Sequence, residues 1–145
     1  MLFGILQILP VILCASYECE AGAQSRTHSE ESYIDQQIND KTADLVAKGL
    51  AYEKGDGVEV DYAKAKAFYE EAASLGSVQA IHNLGGLYNW GMGVEENRAV
   101  ALDFWEEAAG AGNMYSSFNM ANAFLNGNGR QRNEDRALEY YLASF

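Results

Sequence analysis

Gly55-Asp56-Gly57, Gly91-Met92-Gly93 and Gly127-Asn128-Gly129 stand 36 residues apart along the chain. The same step carries Tyr52 onto Tyr88 and Phe124, Gly49 onto Gly85 and Ala121, and Ala65 onto Ala101 and Ala137. It also carries Phe68 onto Phe104 and Tyr140, and Tyr69 onto Trp105 and Tyr141. Agreement in so many columns marks an internal repeat, built of units too small to bury their own apolar faces and therefore obliged to stack. Asp61, Asn97 and Asn133 form a further column. All three are good helix N-caps, and each precedes apolar residues at helical spacing.

Each unit reads as a helix, a Gly-x-Gly turn and a second helix. In the second unit the spacing predicts a first helix over about Val78–Trp90, ended by Gly91 in the left-handed conformation, and a second helix from near Asn97. Ala101, Phe104, Trp105, Ala108 and Ala109 share one face of that second helix, as Ala65, Phe68, Tyr69, Ala72 and Ala73 do in the first unit. Gly49, Gly85 and Ala121 let a neighbouring helix approach, and Tyr52, Tyr88 and Phe124 fill the space one turn on. Composition agrees: 48% hydrophobic and 12% aromatic residues supply a core, and a single proline beside fourteen glycines suits helices joined by glycine turns.

These residues resemble the Sel-one-like repeat family, whose units run roughly A-x-x-x-L-G-x-x-Y-x-x-G-x-G-V, then D, then A-x-x-x-[WY] and A-A-x-x-G. The second unit matches through Ala80, Leu84, Gly85, Tyr88, Gly91, Gly93, Val94, Ala101, Trp105, Ala108, Ala109 and Gly112. The first has Lys48 in place of leucine, and the third has Met120, Ala121, Phe124 and Arg130 in place of Leu, Gly, Tyr and Val. The resemblance implies an all-α, right-handed α-solenoid of about three helix-turn-helix units, near 42–77, 78–113 and 114–145. Phe145 falls inside the second helix of the third unit, so that helix reads as truncated. Tyr140, Tyr141 and Phe145 would then form an apolar end suited to self-association.

Met1 to Tyr17 carries no charged side chain, is strongly apolar, and is followed by Ala21-Gly22-Ala23. This reads as a signal peptide over 1–23, too short and too broken by Pro10 to be a ready membrane span. Cleavage there removes both cysteines, Cys14 and Cys19, so no disulfide framework is expected. Residues 24–41 read as a polar linker, disordered over 24–31, with Tyr33, Ile34 and Ile38 supporting a short capping helix from about Ser32.

Chemistry is sparse. The formal charge of −11 excludes the basic surface that nucleic acid requires. His82 is the one histidine in the repeats, and its counterparts Val46 and Phe118 are apolar, so it reads as a partly buried residue with a local hydrogen bond. No metal site follows from one histidine without a thiol. The Gly-x-Gly turns follow helices and lack the lysine of a phosphate loop. Glu70-Glu71 and Glu106-Glu107 read as a solvated helix face. Neither Ser-x-x-Lys nor Gly-x-Ser-x-Gly occurs, and the expectation is a non-enzyme without cofactor. A rival arrangement would pair His82 with Glu53.

What remains is a surface. In stacked hairpins the first helices line the concave side. There Gln79, His82, Gly86 and Asn89 fall on one stripe, with counterparts Ala43, Val46, Leu50 and Glu53 in the first unit and Tyr115, Phe118, Asn122 and Leu125 in the third. Val46, Leu50, Tyr115, Phe118 and Leu125 would anchor a partner protein or extended peptide, while His82, Asn89 and Asn122 would hydrogen-bond its backbone, with Glu53 and Gln79 completing the partner-binding face. The acidic surroundings favour basic segments in that partner. The resemblance implies an adaptor of the secretory pathway, either lumenal in ER-associated degradation through a ubiquitin-ligase complex or, in bacteria, exported to the envelope or to a host.

Overall fold

The structure, a computed structural model, describes residues 28–145. The signal-peptide reading and both cysteines lie outside the described residues. Six helices follow one another there: α1 His28–Lys54, α2 Tyr62–Ser74, α3 Val78–Trp90, α4 Arg98–Gly110, α5 Met114–Asn126 and α6 Glu134–Ala143. No strand occurs among the described residues. The repeats lie in one compact unit, Asn39–Phe145. From α2 onward each helix packs on the next, which is the all-α solenoid of helix-turn-helix units that the repeat implies.

α1 departs from the expected short capping helix. It is one continuous helix from His28, and residues 28–31, expected to be disordered, are helical. The reason is local: residues 28–48 contain neither glycine nor proline, and Glu30 and Glu31 sit in the first turn, where they complement the helix dipole. Tyr33, Ile34 and Ile38 are exposed along it.

The cap column does what its chemistry predicts. Side-chain oxygens of Asp61, Asn97 and Asn133 accept the backbone N–H of Lys64, Val100 and Arg136 at 3.0, 3.2 and 2.9 Å. Ser77 and Asn113 cap α3 and α5 in the same way, accepting from Ala80 and Ser116. At the far ends of α3 and α5, Gly91 and Gly127 take positive φ of 62° and 69°, where a side chain would be strained.

A second device recurs in every hairpin. The backbone N–H of each second-helix cap reaches back across the turn to the carbonyl of the aromatic residue in the preceding helix: Asp61 to Tyr52, Asn97 to Tyr88 and Asn133 to Phe124, each 2.9 Å. Those aromatics stack on the second helix, Tyr52 on Phe68, Tyr88 on Phe104 and Phe124 on Tyr140, with ring centroids 5.7, 5.6 and 5.7 Å apart. Tyr69 and Trp105, one residue further on, are buried and lie against the glycine backbones of Gly49 and Gly85. One core cluster gathers Leu45, Ala65, Tyr69, Ala72, Ala80, Leu84 and Leu87, and a second gathers Leu102, Trp105, Met120 and Ala123.

Candidate functional site

The first helices α1, α3 and α5 present the expected stripe, and the structure divides it in two. Val46 and Leu50 pack against the first core cluster, so they hold α1 in place more than they offer a surface. Glu53 accepts a 2.6 Å hydrogen bond from the Tyr69 hydroxyl. Burial, followed by the bond to this carboxylate, pushes the Tyr69 phenol well above its ordinary range. Gln79 is exposed and donates to Asn83 Oδ1 at 2.9 Å. On α5, by contrast, Tyr115, Phe118 and Leu125 are 64%, 52% and 38% exposed. These three are the apolar, surface-presenting part of the stripe.

His82 holds two units together. Its Nδ1 lies 2.8 Å from Ser116 Oγ on the next hairpin, and its carbonyl accepts the Trp105 indole N–H at 3.1 Å. Its ring sits between Trp105 and Tyr115, with centroids 6.4 and 6.1 Å away. The expected local hydrogen bond is therefore a long-range one, because the residue that answers it belongs to the neighbouring unit. Burial holds the imidazole below its ordinary range. Ser116 is fully buried, which leaves its hydroxyl no path to a substrate. His82 and Glu53 serve different partners, so the rival pair is not assembled.

Between α3, α4 and α5 lies a cleft of about 270 Å³. Asn89 and Trp90 border it from the end of α3, Arg98, Leu102 and Trp105 from α4, and Asn119, Asn122, Ala123 and Asn126 from α5, with Asn128 beyond. Asn89 is 9% exposed. Asn122 is already engaged: its Oδ1 accepts from the Tyr141 hydroxyl at 2.8 Å and its Nδ2 donates to the Phe118 carbonyl. Asn89 and Asn122 were legible in the stripe. Arg98, Trp90, Asn119, Asn126 and Asn128 were not, although the density of asparagine in the third unit was a visible signal.

The last helix corrects two readings. Tyr140 is stacked inward on Phe124, and Tyr141 packs edge-on to Phe118 at 5.8 Å, so only Phe145 of the expected apolar end is open, beside Leu138 and Leu142. Glu106 is not simply solvated. It pairs with Arg130 at 3.1 Å, and Arg130 also reaches Asp103 at 2.6 Å. Arg130 stands where the other units have Val58 and Val94, so the third unit uses an ion pair where Val94 of the second packs against the first core cluster. Among the described residues no group of three or more His, Cys, Asp or Glu side chains is placed to hold a metal ion.

The sequence matches the Sel1 repeat at residues 46–77, 78–113 and 115–144. The chain belongs to the Sel1 repeat family. Sel1 repeat proteins generally mediate protein–protein interaction, and the fold is typically a non-catalytic scaffold. Among solved structures the chain is similar to a protective antigen of uropathogenic Escherichia coli strains displaying an SLR fold, at 35% identity and a TM-score of 0.68. It is also similar to a Sel1 repeat protein from Oxalobacter formigenes, at 26% identity and a TM-score of 0.68. Each likeness covers 71% of this chain, but only 22% of the first protein and 42% of the second. Helicobacter pylori cysteine rich protein B shares the fold, with 16% identity, a TM-score of 0.62, and coverage of 83% of this chain and 90% of that one. No curated protein matches this Sel1 repeat chain.

Proposed function

We propose that this chain is an exported, non-catalytic adaptor that holds another protein, as an extended segment, on the first-helix face of its Sel1 repeats. The observation that carries this reading is the exposed row Tyr115, Phe118 and Leu125 on α5. Rigid aromatics held in the open by packed neighbours are the usual anchors of protein interfaces. His82 and Tyr141 buttress that row from α3 and α6, so it is presented in a fixed geometry.

Export rests on the uncharged apolar stretch 1–17 and on Ala21-Gly22-Ala23. The bacterial sources of the similar solved structures support an envelope or host-facing setting. The weakly basic start of the chain supports the other setting the resemblance implies, the lumen of the secretory pathway and an adaptor role in ER-associated degradation. Sequencing the amino terminus of the purified mature chain tests export, with a start at Gln24 expected and an intact Met1 refuting it.

The face is tested with Phe118→Asp and Tyr115→Asp. Each residue is more than half exposed, so circular dichroism and melting should change little while affinity for a purified partner falls by about tenfold or more, as for interface anchors. Unchanged affinity in both folded variants would refute the reading.

A further inference from the structure

Each of α2 and α4 packs against the first helix of the hairpin that follows it. On α4, Leu102 is buried in one cluster with Met120 and Ala123 of α5. Gly129, in the turn after α5, approaches the same side of α4 so closely that a Cβ there would stand 2.9 Å from Leu102 and 3.0 Å from Arg98. The contact also has an ionic half. Arg130 in that turn reaches back to Asp103 and Glu106 of α4 at 2.6 and 3.1 Å.

One step of the repeat carries this side of α4 onto α6 and leaves it exposed. Leu138 takes the place of Leu102 and is 58% exposed where Leu102 is buried. Glu139 takes the place of Asp103, and its ion-pair partner, Arg136 of the same helix, is 4.0 Å away. Leu142 and Phe145 replace Glu106 and Ala109, so apolar side chains stand in the open where the second unit has an acid and a small residue. Leu138 and Leu142 lie one turn apart, and Phe145 follows just beyond the end of α6. Exposed apolar residues are ordinary when scattered, but here they gather on the side that the preceding unit uses for stacking.

We propose that this side of α6 receives a cationic amphipathic helix of a partner protein, laid against it as α5 lies against α4. This surface is separate from the exposed row on α5, and the inference does not depend on that row. The helical form of the occupant follows from what covers Leu102 in the equivalent place. Its charge follows from the rim: α6 carries Glu134, Asp135 and Glu139 against one base, Arg136, in a chain of net charge −11. Arg130 shows the pairing such a partner would repeat, a base beyond the covering helix answered by the acid beside the leucine. A second copy of this chain fits neither way round. Set tail to tail, it brings the same carboxylates against one another. Set head to tail, it offers α1, where Asp44 and Lys48 stand two steps of the repeat from Ser116 and Met120 and pair at 2.7 Å. That exposed ion pair would have to be buried against Leu138, at a cost in desolvation.

The test titrates the full chain with a labelled peptide of about 20 residues, long enough to hold a helix in water, that carries a Leu and Ala stripe flanked by Arg and Lys. One twin has Glu in place of every base, and another has the same basic composition scrambled so that the stripe is lost. Fluorescence anisotropy should show saturable binding of the basic helix, with both twins weaker by about tenfold or more. Leu138→Asp with Leu142→Asp, both at exposed positions, should weaken the basic helix by about tenfold or more while circular dichroism stays unchanged. Glu139→Gln should weaken it by about two- to fivefold, as for an exposed ion pair. Met114→Ser, which removes an exposed apolar side chain at the start of α5, should leave binding as it was. Mapping on nitrogen-15-labelled parent chain keeps the question open to refutation if the double variant unfolds: the backbone signals of Leu138, Leu142 and Phe145 should move with the basic helix. Equal binding of either twin, unchanged binding by the folded double variant, shifts confined to α5, or no binding at all would overturn the proposal. So would a dimer of the parent chain in sedimentation that the double variant fails to form, since the occupant would then be a second copy.

Discussion

Gly85 and Gly86 are neighbours in the middle of α3, and replacing each with alanine should change stability in opposite directions. Both substitutions gain about 1 kcal/mol of intrinsic helix propensity. A Cβ at Gly86 meets nothing within 4 Å, so Gly86→Ala should keep most of that gain, about 0.5–1 kcal/mol. A Cβ at Gly85 would lie 2.5 Å from Trp105 Nε1, 2.6 Å from its Cδ1 and 3.1 Å from the Ala101 carbonyl. The carbonyl is backbone, and the indole is buried and tied to the His82 carbonyl, so neither can yield cheaply. Overpacking of this kind costs about 1–3 kcal/mol. Displacing the indole would add about 0.5–1.5 kcal/mol for its hydrogen bond. Set against the propensity gain, Gly85→Ala should lose about 1–3 kcal/mol net. Urea denaturation followed by circular dichroism resolves that difference, and the melting temperature should fall by roughly 3–6 °C per kcal/mol for a chain of this size. Gly85→Ala matching or exceeding Gly86→Ala in stability would refute the close-approach argument for the Gly49 and Gly85 column.

Two further outcomes follow from the same contacts. Because burial lowers the His82 pKa in the folded chain, the unfolded chain binds the extra proton first as the pH drops. The stability contributed by neutral His82 should be complete above about pH 6.5 and decline below it, and His82→Gln should flatten that slope in melting curves taken from pH 7.5 to 5. Asn97→Ala, which leaves the Val100 N–H uncapped, should cost about 1 kcal/mol, with Asn97→Asp restoring most of it in the same denaturation assay.

The fold was legible because the repeat prints each of its devices three times. Columns such as Asp61, Asn97 and Asn133, or Tyr52, Tyr88 and Phe124, show a constraint that one copy alone would hide. The caps of α3 and α5 were harder to see, since Ser77 and Asn113 differ and their counterpart, Lys41, lies inside the long α1. The site was legible only in part. A shared register says that Val46, His82 and Phe118 occupy equivalent positions, but not which of them a neighbour covers. Val46 joins a core, His82 braces a joint and Phe118 stays open, according to what the adjacent unit places opposite. The cleft was hidden for the same reason. It is made by departures from the repeat, Trp105 for tyrosine and Arg98 for tyrosine or glutamate, whose effect shows only once the units are stacked.

The clamp from each second-helix cap back to the preceding aromatic carbonyl pins both ends of every turn. Residues between those pins are free of the repeat's demands, and their charges have diverged in order. The first turn carries Asp56 and Glu59, the second Glu95 and Glu96, and the third Arg130 and Arg132. Arg130 and Arg132 are met by Asp103, Glu106 and Glu134, so the row of turns runs from two acidic loops to a third whose charge is answered by neighbouring carboxylates. A charged surface approaching that edge meets a direction as well as a face, and at low ionic strength it would be turned to one orientation before any contact forms.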